Sequence, residues 1–150
     1  MKVLAAIPAR MNSSRFPGKP LEKINNKPMV IYPAEAAMSC DLVDDVIIAT
    51  CDDEIAQESK NYGIKSIMTS KSHERASDRC AEALDIVEKE QKIKYDILLM
   101  LQGDEPMVDK EMIEASLKPF LEDNEINCVN LMSEIKTEEE FLSKDCIKVV

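Results

Sequence analysis

Short apolar runs that lack two-residue alternation are the feature that most restricts how this chain can fold. Val3-Leu4-Ala5-Ala6-Ile7, Val46-Ile47-Ile48-Ala49 and Ile97-Leu98-Leu99-Met100-Leu101 are apolar at every position. A strand of this kind hides both faces, as strands do in a parallel sheet covered by helices on two sides. Helical signals alternate with these runs, so the expected class is α/β with a mainly parallel sheet. The spacing predicts strands at residues 2–7, 21–24, 45–50, 64–68, 95–101, 127–132 and 146–150, with 95–101 as a central strand. A turn at Asn25-Asn26 follows the second of these. Helices are predicted at about 28–39, from Asp52-Asp53-Glu54 onward, at 75–91, from a cap at Asp109 to about Leu121, and at 137–142 behind Thr137. Val30, Ala34, Ala37 and Met38 share one face of the first helix, with Pro33 tolerable only near its first turn. Ala76, Cys80, Ala83, Leu84 and Val87 keep the helical period in the third, and Met112, Ile113, Leu117, Phe120 and Leu121 are expected inward in the fourth.

A chain of 150 residues is one domain by length. In a parallel sheet, ligands bind outside the carboxyl ends of the strands. The loops at 8–20, 50–53, 69–79 and 102–106 all follow strands and are expected to crowd that edge. The chain ends in the apolar run Ile147-Lys148-Val149-Val150, and the expectation is a domain truncated at its C-terminus.

Several classes are excluded. No run of 18 apolar residues is present, so no membrane span is expected. The apolar start is cut short by Pro8, too short for a signal peptide, and the expected location is the cytoplasm. The five cysteines (Cys40, Cys51, Cys80, Cys128, Cys146) form no Cys-x-x-Cys pair, and the chain has one histidine, which argues against a zinc site. A net charge of −10 argues against binding nucleic acid or an anionic membrane. That charge is unevenly spread: residues 1–27 carry +5 and the remainder −15. One basic segment in an acidic protein concentrates positive charge for a small anion.

The segment is Pro8-Ala9-Arg10-Met11-Asn12-Ser13-Ser14-Arg15-Phe16-Pro17-Gly18-Lys19-Pro20-Leu21. Arg10, Arg15 and Lys19 place three cations within ten residues, on a stretch that proline and glycine keep out of a helix. A triphosphate spreads its charge over many oxygens and needs several such donors. Arginine grips two oxygens in a fork, and lysine supplies a point charge. Gly18 lets backbone approach a ligand, and Ser13 and Ser14 add neutral donors. A solvated basic loop is the competing reading. Neither Gly-x-x-x-x-Gly-Lys-Ser/Thr nor Gly-x-Gly-x-x-Gly is present.

Gln102-Gly103-Asp104-Glu105-Pro106 follows the most apolar run. A carboxylate at a strand's carboxyl end is well placed for Mg²⁺, which needs few protein ligands when phosphates and waters supply the rest. Gly103 allows a close turn. His73-Glu74-Arg75-Ala76-Ser77-Asp78-Arg79 opens the clearest helix, where backbone N–H groups and Ser77 can serve a base or phosphate. His73, alone at a helix start, reads as a capping or surface residue. No Ser/His/Asp triad or nucleophilic cysteine is indicated.

Ile7-Pro8-Ala9-Arg10, Ser14-Arg15 and Pro17-Gly18-Lys19-Pro20-Leu21 together resemble the start of a 3-deoxy-manno-octulosonate cytidylyltransferase. The likeness continues in Lys27-Pro28-Met29, Ala49-Thr50, Met68-Thr69-Ser70, His73, Gln102-Gly103-Asp104-Glu105-Pro106-Met107 and Lys148-Val149-Val150. The resemblance implies a Rossmann-like, three-layer nucleotide-diphospho-sugar transferase fold, CTP as donor and Mg²⁺ as cofactor. It implies a sugar acid as acceptor and a homodimer; the charge balance argues for no nucleic-acid or membrane partner. Arg10, Arg15 and Lys19 would meet the phosphates, within a nucleotide site of Pro8, Ala9, Arg10, Ser14, Arg15, Lys19, Ala76, Ser77 and Arg79. Asp104 would hold the metal, Gln102 would face the sugar acid, and Arg10, Lys19 and Asp104 would carry catalysis. The family usually has serine, glycine and threonine where Arg75, Ala76 and Ser77 stand, which leaves the sugar open. The alternatives are another sugar acid (sialic-acid-type or amino-octulosonate), a nucleotide-sugar glycosyltransferase, and a non-catalytic nucleotide-binding fragment.

Overall fold

The computed structural model describes residues 1–12 and 16–149. The chain divides into two compact units, Met1–Glu114 and Ala115–Val150.

The first unit is built on four parallel strands: β1 (Val3–Ala9), β4 (Asp45–Thr50), β5 (Lys65–Met68) and β6 (Ile97–Met100), in the order β5-β4-β1-β6. Between β1 and β4 lies a small hairpin of β2 (Lys23–Ile24) and β3 (Lys27–Pro28). Asn25 and Asn26 turn it with φ of 50° and 66°, the paired positive φ that a tight hairpin turn demands and asparagine tolerates. α1 (Ile31–Met38), α2 (Asp53–Asn61) and α3 (Ala76–Gln91) link the strands.

Handedness sets the layers. The chain runs β1 to β4 to β5 in one direction, so right-handed crossovers put α1 and α2 on the same face. It then returns across the sheet to β6, on the far side of β1, which places α3 on the opposite face. The packing agrees: Leu4, Ala6, Ile47, Ala49 and Ile67 are buried with Cys80, Ala83 and Val87 of α3. Val30, Ile31, Ala34 and Ala37 at and within α1 are fully buried, and α1 packs on β1 and β4. β1 is buried at all seven residues, as its unbroken apolar run predicts.

Most element expectations hold. Pro33 falls in the first turn of α1, where its missing N–H costs nothing. α1 starts later than expected because residues 27–28 are used by the hairpin, and Met38 faces solvent. Residues 19–21 form a 3-10 turn, so only Lys23–Ile24 of the expected second strand is a strand. The expected central strand is corrected: among the described residues β6 is an edge, paired to β1 alone, and its residues are half-buried or exposed.

α4 (Lys110–Glu122) begins in the first unit and ends in the second. Asp109 accepts a bond from the Met112 N–H at 2.8 Å, the expected cap. Ile113 and Leu117 are buried, but Met112 and Leu121 are exposed, a narrower apolar stripe than expected. In the second unit α5 (Glu138–Leu142) follows a cap in which the Thr137 side chain accepts from the Glu140 N–H. The strands expected at 127–132 and 146–150 are not formed among the described residues, and Val150 lies outside them. A strand needs a partner ladder, and Leu131, Met132, Ile147 and Val149 are exposed.

Candidate active site

The strand order reverses between β1 and β6, and the loops leaving those two strands part there to leave a crevice. Pro8 and Ala9 at the end of β1 line it with Arg10, Lys19 and Pro20 of the loop that follows, and Gln102, Gly103 and Asp104 line it from the loop after β6. His73, Glu74, Arg75, Ala76 and Arg79, from the β5–α3 connection, complete the wall. The cleft holds about 250 Å³ among the described residues, just below the usual range for small-molecule sites.

The first loop is closed on itself. The Gly18 N–H donates to the Met11 carbonyl at 2.9 Å, and Gly18 sits at φ 76°, a left-handed conformation suited to glycine. The Leu21 and Glu22 N–H groups bond back to Gly18 and Lys19, and Val30 N–H to Pro20, so Lys19 rises from a fixed turn. At the other end the Met11 N–H donates to Asp52 Oδ2 at 2.8 Å. Asp52 was expected only to open a helix. It stands at the N-cap of α2 but makes no side-chain cap bond, and its carboxylate anchors the first loop instead.

Gly103 brings the second loop close. A Cβ placed there would lie 2.8 Å from the Pro8 carbonyl oxygen. Its role is close approach between two chain segments rather than an unusual backbone angle. That approach carries Asp104 to Lys19, whose Nζ is 2.7 Å from Asp104 Oδ2. Both side chains keep access to water, at 34 % and 48 % exposed.

The third wall is bolted to α3. Thr69 follows β5, and both its N–H and its hydroxyl donate to the Thr50 carbonyl, at 2.8 and 3.1 Å. The Thr69 hydroxyl accepts from Arg79 Nη1 at 2.5 Å, and Arg79 is only 3 % exposed. One turn further along α3, Glu82 Oε2 accepts from the Ser70 N–H at 2.8 Å and lies 2.6 Å from His73 Nε2. The Ser70 N–H, and then His73, hold the Glu82 carboxyl below its ordinary value.

The structure thus gathers Pro8, Ala9, Arg10, Lys19, Ala76, Arg79, Gln102 and Asp104 around one cleft. Ser77 is exposed, does not line it, and donates to Asp78 at 3.4 Å. Ser14 and Arg15 lie outside the described residues, as does Ser13. His73 is corrected from a capping or surface residue to a half-buried part of the wall, since the cap position of α3 is Arg75 and carries no side-chain cap bond. Sequence reasoning had no signal for Glu82, which reads as one more acid on an amphipathic helix. Burial pushes the Cys80 thiol, on α3, up to about 12.

Mg²⁺ fits this donor set in one form only. Among the described residues no group of three or more His, Cys, Asp or Glu side chains converges, so a cage built by protein alone is absent there. Asp104 supplies a hard, half-exposed carboxylate beside a cationic loop, which suits an ion shared with phosphate oxygens and water.

Comparison with known proteins bears on the chain as a whole. The cytidylyltransferase family model matches residues 4–150. The 3-deoxy-manno-octulosonate cytidylyltransferases of Geotalea daltonii and Geobacter metallireducens are 40 % and 41 % identical over 150 residues. All of this chain is covered in both, but 57 % of each relative, so the chain spans little more than half their length. A solved CMP:2-keto-3-deoxy-manno-octonic acid synthetase complexed with CTP is 39 % identical, with a TM-score of 0.74 over 84 % of this chain and 50 % of its own. Among the described residues, no helix is long and apolar enough to cross a membrane.

Proposed function

The chain belongs to the cytidylyltransferase family, and from that premise we propose that it holds the nucleotide end of an enzyme transferring CMP from CTP to a 3-deoxy-manno-octulosonate-type sugar acid. The observation that carries this reading is the Lys19–Asp104 contact at the sheet's switch point, 2.7 Å between a cation of the basic loop and a carboxylate of the loop after β6. The relatives' names and the CTP complex of a similar structure support the choice of nucleotide and acceptor.

The reaction is a single displacement. The anomeric hydroxyl oxygen of the sugar acid bonds to the α-phosphorus, the bond from that phosphorus to the bridging oxygen breaks, and pyrophosphate leaves. The hydroxyl proton is released. Such chemistry relies on positioning and on stabilising charge rather than on a protein nucleophile. Arg10 and Lys19, with Arg15, hold the phosphates and stabilise the leaving pyrophosphate. Arg79 and the backbone at Pro8, Ala9 and Ala76 bound the nucleotide, with Ser77 nearby. Gln102, on the loop that carries Asp104, faces the acceptor. Mg²⁺, when bound at Asp104, supplies charge neutralisation at the phosphates.

Two substitutions test this. In a full-length form, Lys19→Ala and Asp104→Ala should each slow pyrophosphate release from CTP and a sugar acid by roughly a hundredfold or more, without loss of fold by circular dichroism. Release near the unsubstituted rate in either variant sinks the assignment. Screening sialic-acid-type and amino-octulosonate acceptors in the same assay settles the sugar.

A further inference from the structure

The nucleotide-site reading leaves one feature of the cleft wall without a role: the contact between His73 and Glu82. A carboxylate only accepts hydrogen bonds, so the proton in the 2.6 Å contact sits on His73 Nε2. A neutral imidazole has one N–H. In that neutral form, with the N–H committed to Glu82, Nδ1 is left as an acceptor. Glu82 fixes which ring nitrogen carries that N–H. The same oxygen takes the Ser70 N–H at 2.8 Å, so the helix fixes the backbone of the loop and the ring borne on it together. Arg79, three residues before it on the same helical face, fixes Thr69.

Cations line both walls of the cleft, Arg10 and Lys19 on one and Arg75 and Arg79 on the other. Lys19, with Arg10, marks the end after β1 as the place for phosphates. The wall that carries His73 is mixed in charge, with Glu74, Arg75 and Arg79 lining it and Glu82 bonded to the ring, so what sets His73 apart there is its ring acceptor. A neutral group carrying a hydrogen-bond donor fits there. On a cytosine nucleotide that donor is the exocyclic amine, where uracil carries an acceptor oxygen.

We propose that His73 Nδ1 accepts a hydrogen bond from the exocyclic amine of the base, and that Glu82 is the positioning residue that holds the ring for it. The proposal rests on the nucleotide-site reading above and assigns base choice to a residue pair outside the phosphate machinery.

His73 is the sole histidine in the sequence, so long-range ¹H–¹⁵N spectra of its ring need no assignment. The free protein should show the Nε2–H form, and saturating CTP should move the Nδ1 resonance while UTP leaves it in place. An Nδ1–H form, or an Nδ1 signal unmoved by CTP that calorimetry shows to be bound, overturns the proposal. By calorimetry, His73→Phe and Glu82→Ala should weaken CTP roughly tenfold and leave UTP nearly unchanged. Glu82→Gln, whose amide oxygen still accepts from Nε2, should keep the preference. Equal weakening of both nucleotides in His73→Phe indicates a structural role alone and overturns the proposal. A folded, unsubstituted chain that binds neither nucleotide overturns the nucleotide-site reading instead.

Discussion

Asp104 reaches Lys19 because the residue before it has no side chain. Adding one methyl at Gly103 places it 2.8 Å from a backbone oxygen of β1's C-terminal end, and Ile7 and Val30 stand 3.5 Å away on another side. Backbone cannot swing aside as a flexible side chain does, so the loop itself must move. Gly103→Ala should cost about 1–3 kcal/mol in urea unfolding and should lower pyrophosphate release as Asp104 is displaced from Lys19. Stability and turnover both unchanged would show that the two loops are not held this close. Gly18 is a different case, where the 76° φ itself penalises any side chain. From the sequence Gly18 reads as a point where backbone approaches a ligand and Gly103 as a close turn. The pattern named the right loops, but a 2.8 Å approach between residues nearly a hundred positions apart leaves no local trace. Asp52 shows the same gap. As an acid opening a helix it has a sufficient local explanation, and its bond to the Met11 N–H is visible only once β1 and β4 lie side by side. Asp52→Ala should leave that N–H without its partner and weaken nucleotide binding by about 1 kcal/mol, read by calorimetry.

α3 is the element that organises the third wall, and its carboxylates give the unit an acid limb. Glu82 takes the Ser70 N–H and His73, and Glu88 takes Lys94 and the Tyr95 N–H. Both carboxyls are held below their ordinary value of 4.5, Glu82 chiefly by Ser70 and Glu88 chiefly by Lys94. A depressed folded value means that the unfolded chain binds the proton more tightly. The stabilisation is therefore complete above pH 4.5 and is lost as pH falls through the folded values below it. Thermal melts should show a falling midpoint across that acid range, with a shallower fall in the Glu82→Gln, Glu88→Gln double variant. An identical slope in both proteins would place the acid sensitivity elsewhere. The helix itself was legible, because Cys80, Ala83 and Val87 keep the 3.6-residue period and are buried. The bonds that tie its polar side to the loop and to the following strand were not, since periodicity reports the apolar face alone.

At the scale of the whole sheet, the apolar runs identified the parallel α/β class but not the position of each strand. The run before Gln102 is as apolar as β1, yet β1 is paired on both sides and β6 on one. An apolar run reports that a strand has hydrophobic faces, and says nothing of its edges, which are backbone. Edge pairing follows from hydrogen-bond parity. The Ile97 and Leu101 N–H groups donate to Lys2 and Ala6, so alternation turns the Leu98 and Met100 N–H groups away from β1. Those two amides face the edge that no described strand covers, and an unpaired edge is a template for another strand. Amide exchange followed by NMR should find Leu98 and Met100 exchanging much faster than Ile97, Leu99 and Leu101, and faster than β1 throughout. Equal protection along β6 would mean that a further strand, from a longer form of the chain or from a second copy, is seated there. Repeating the measurement across protein concentration separates the two sources, because protection from a second copy rises with concentration and protection within one chain does not.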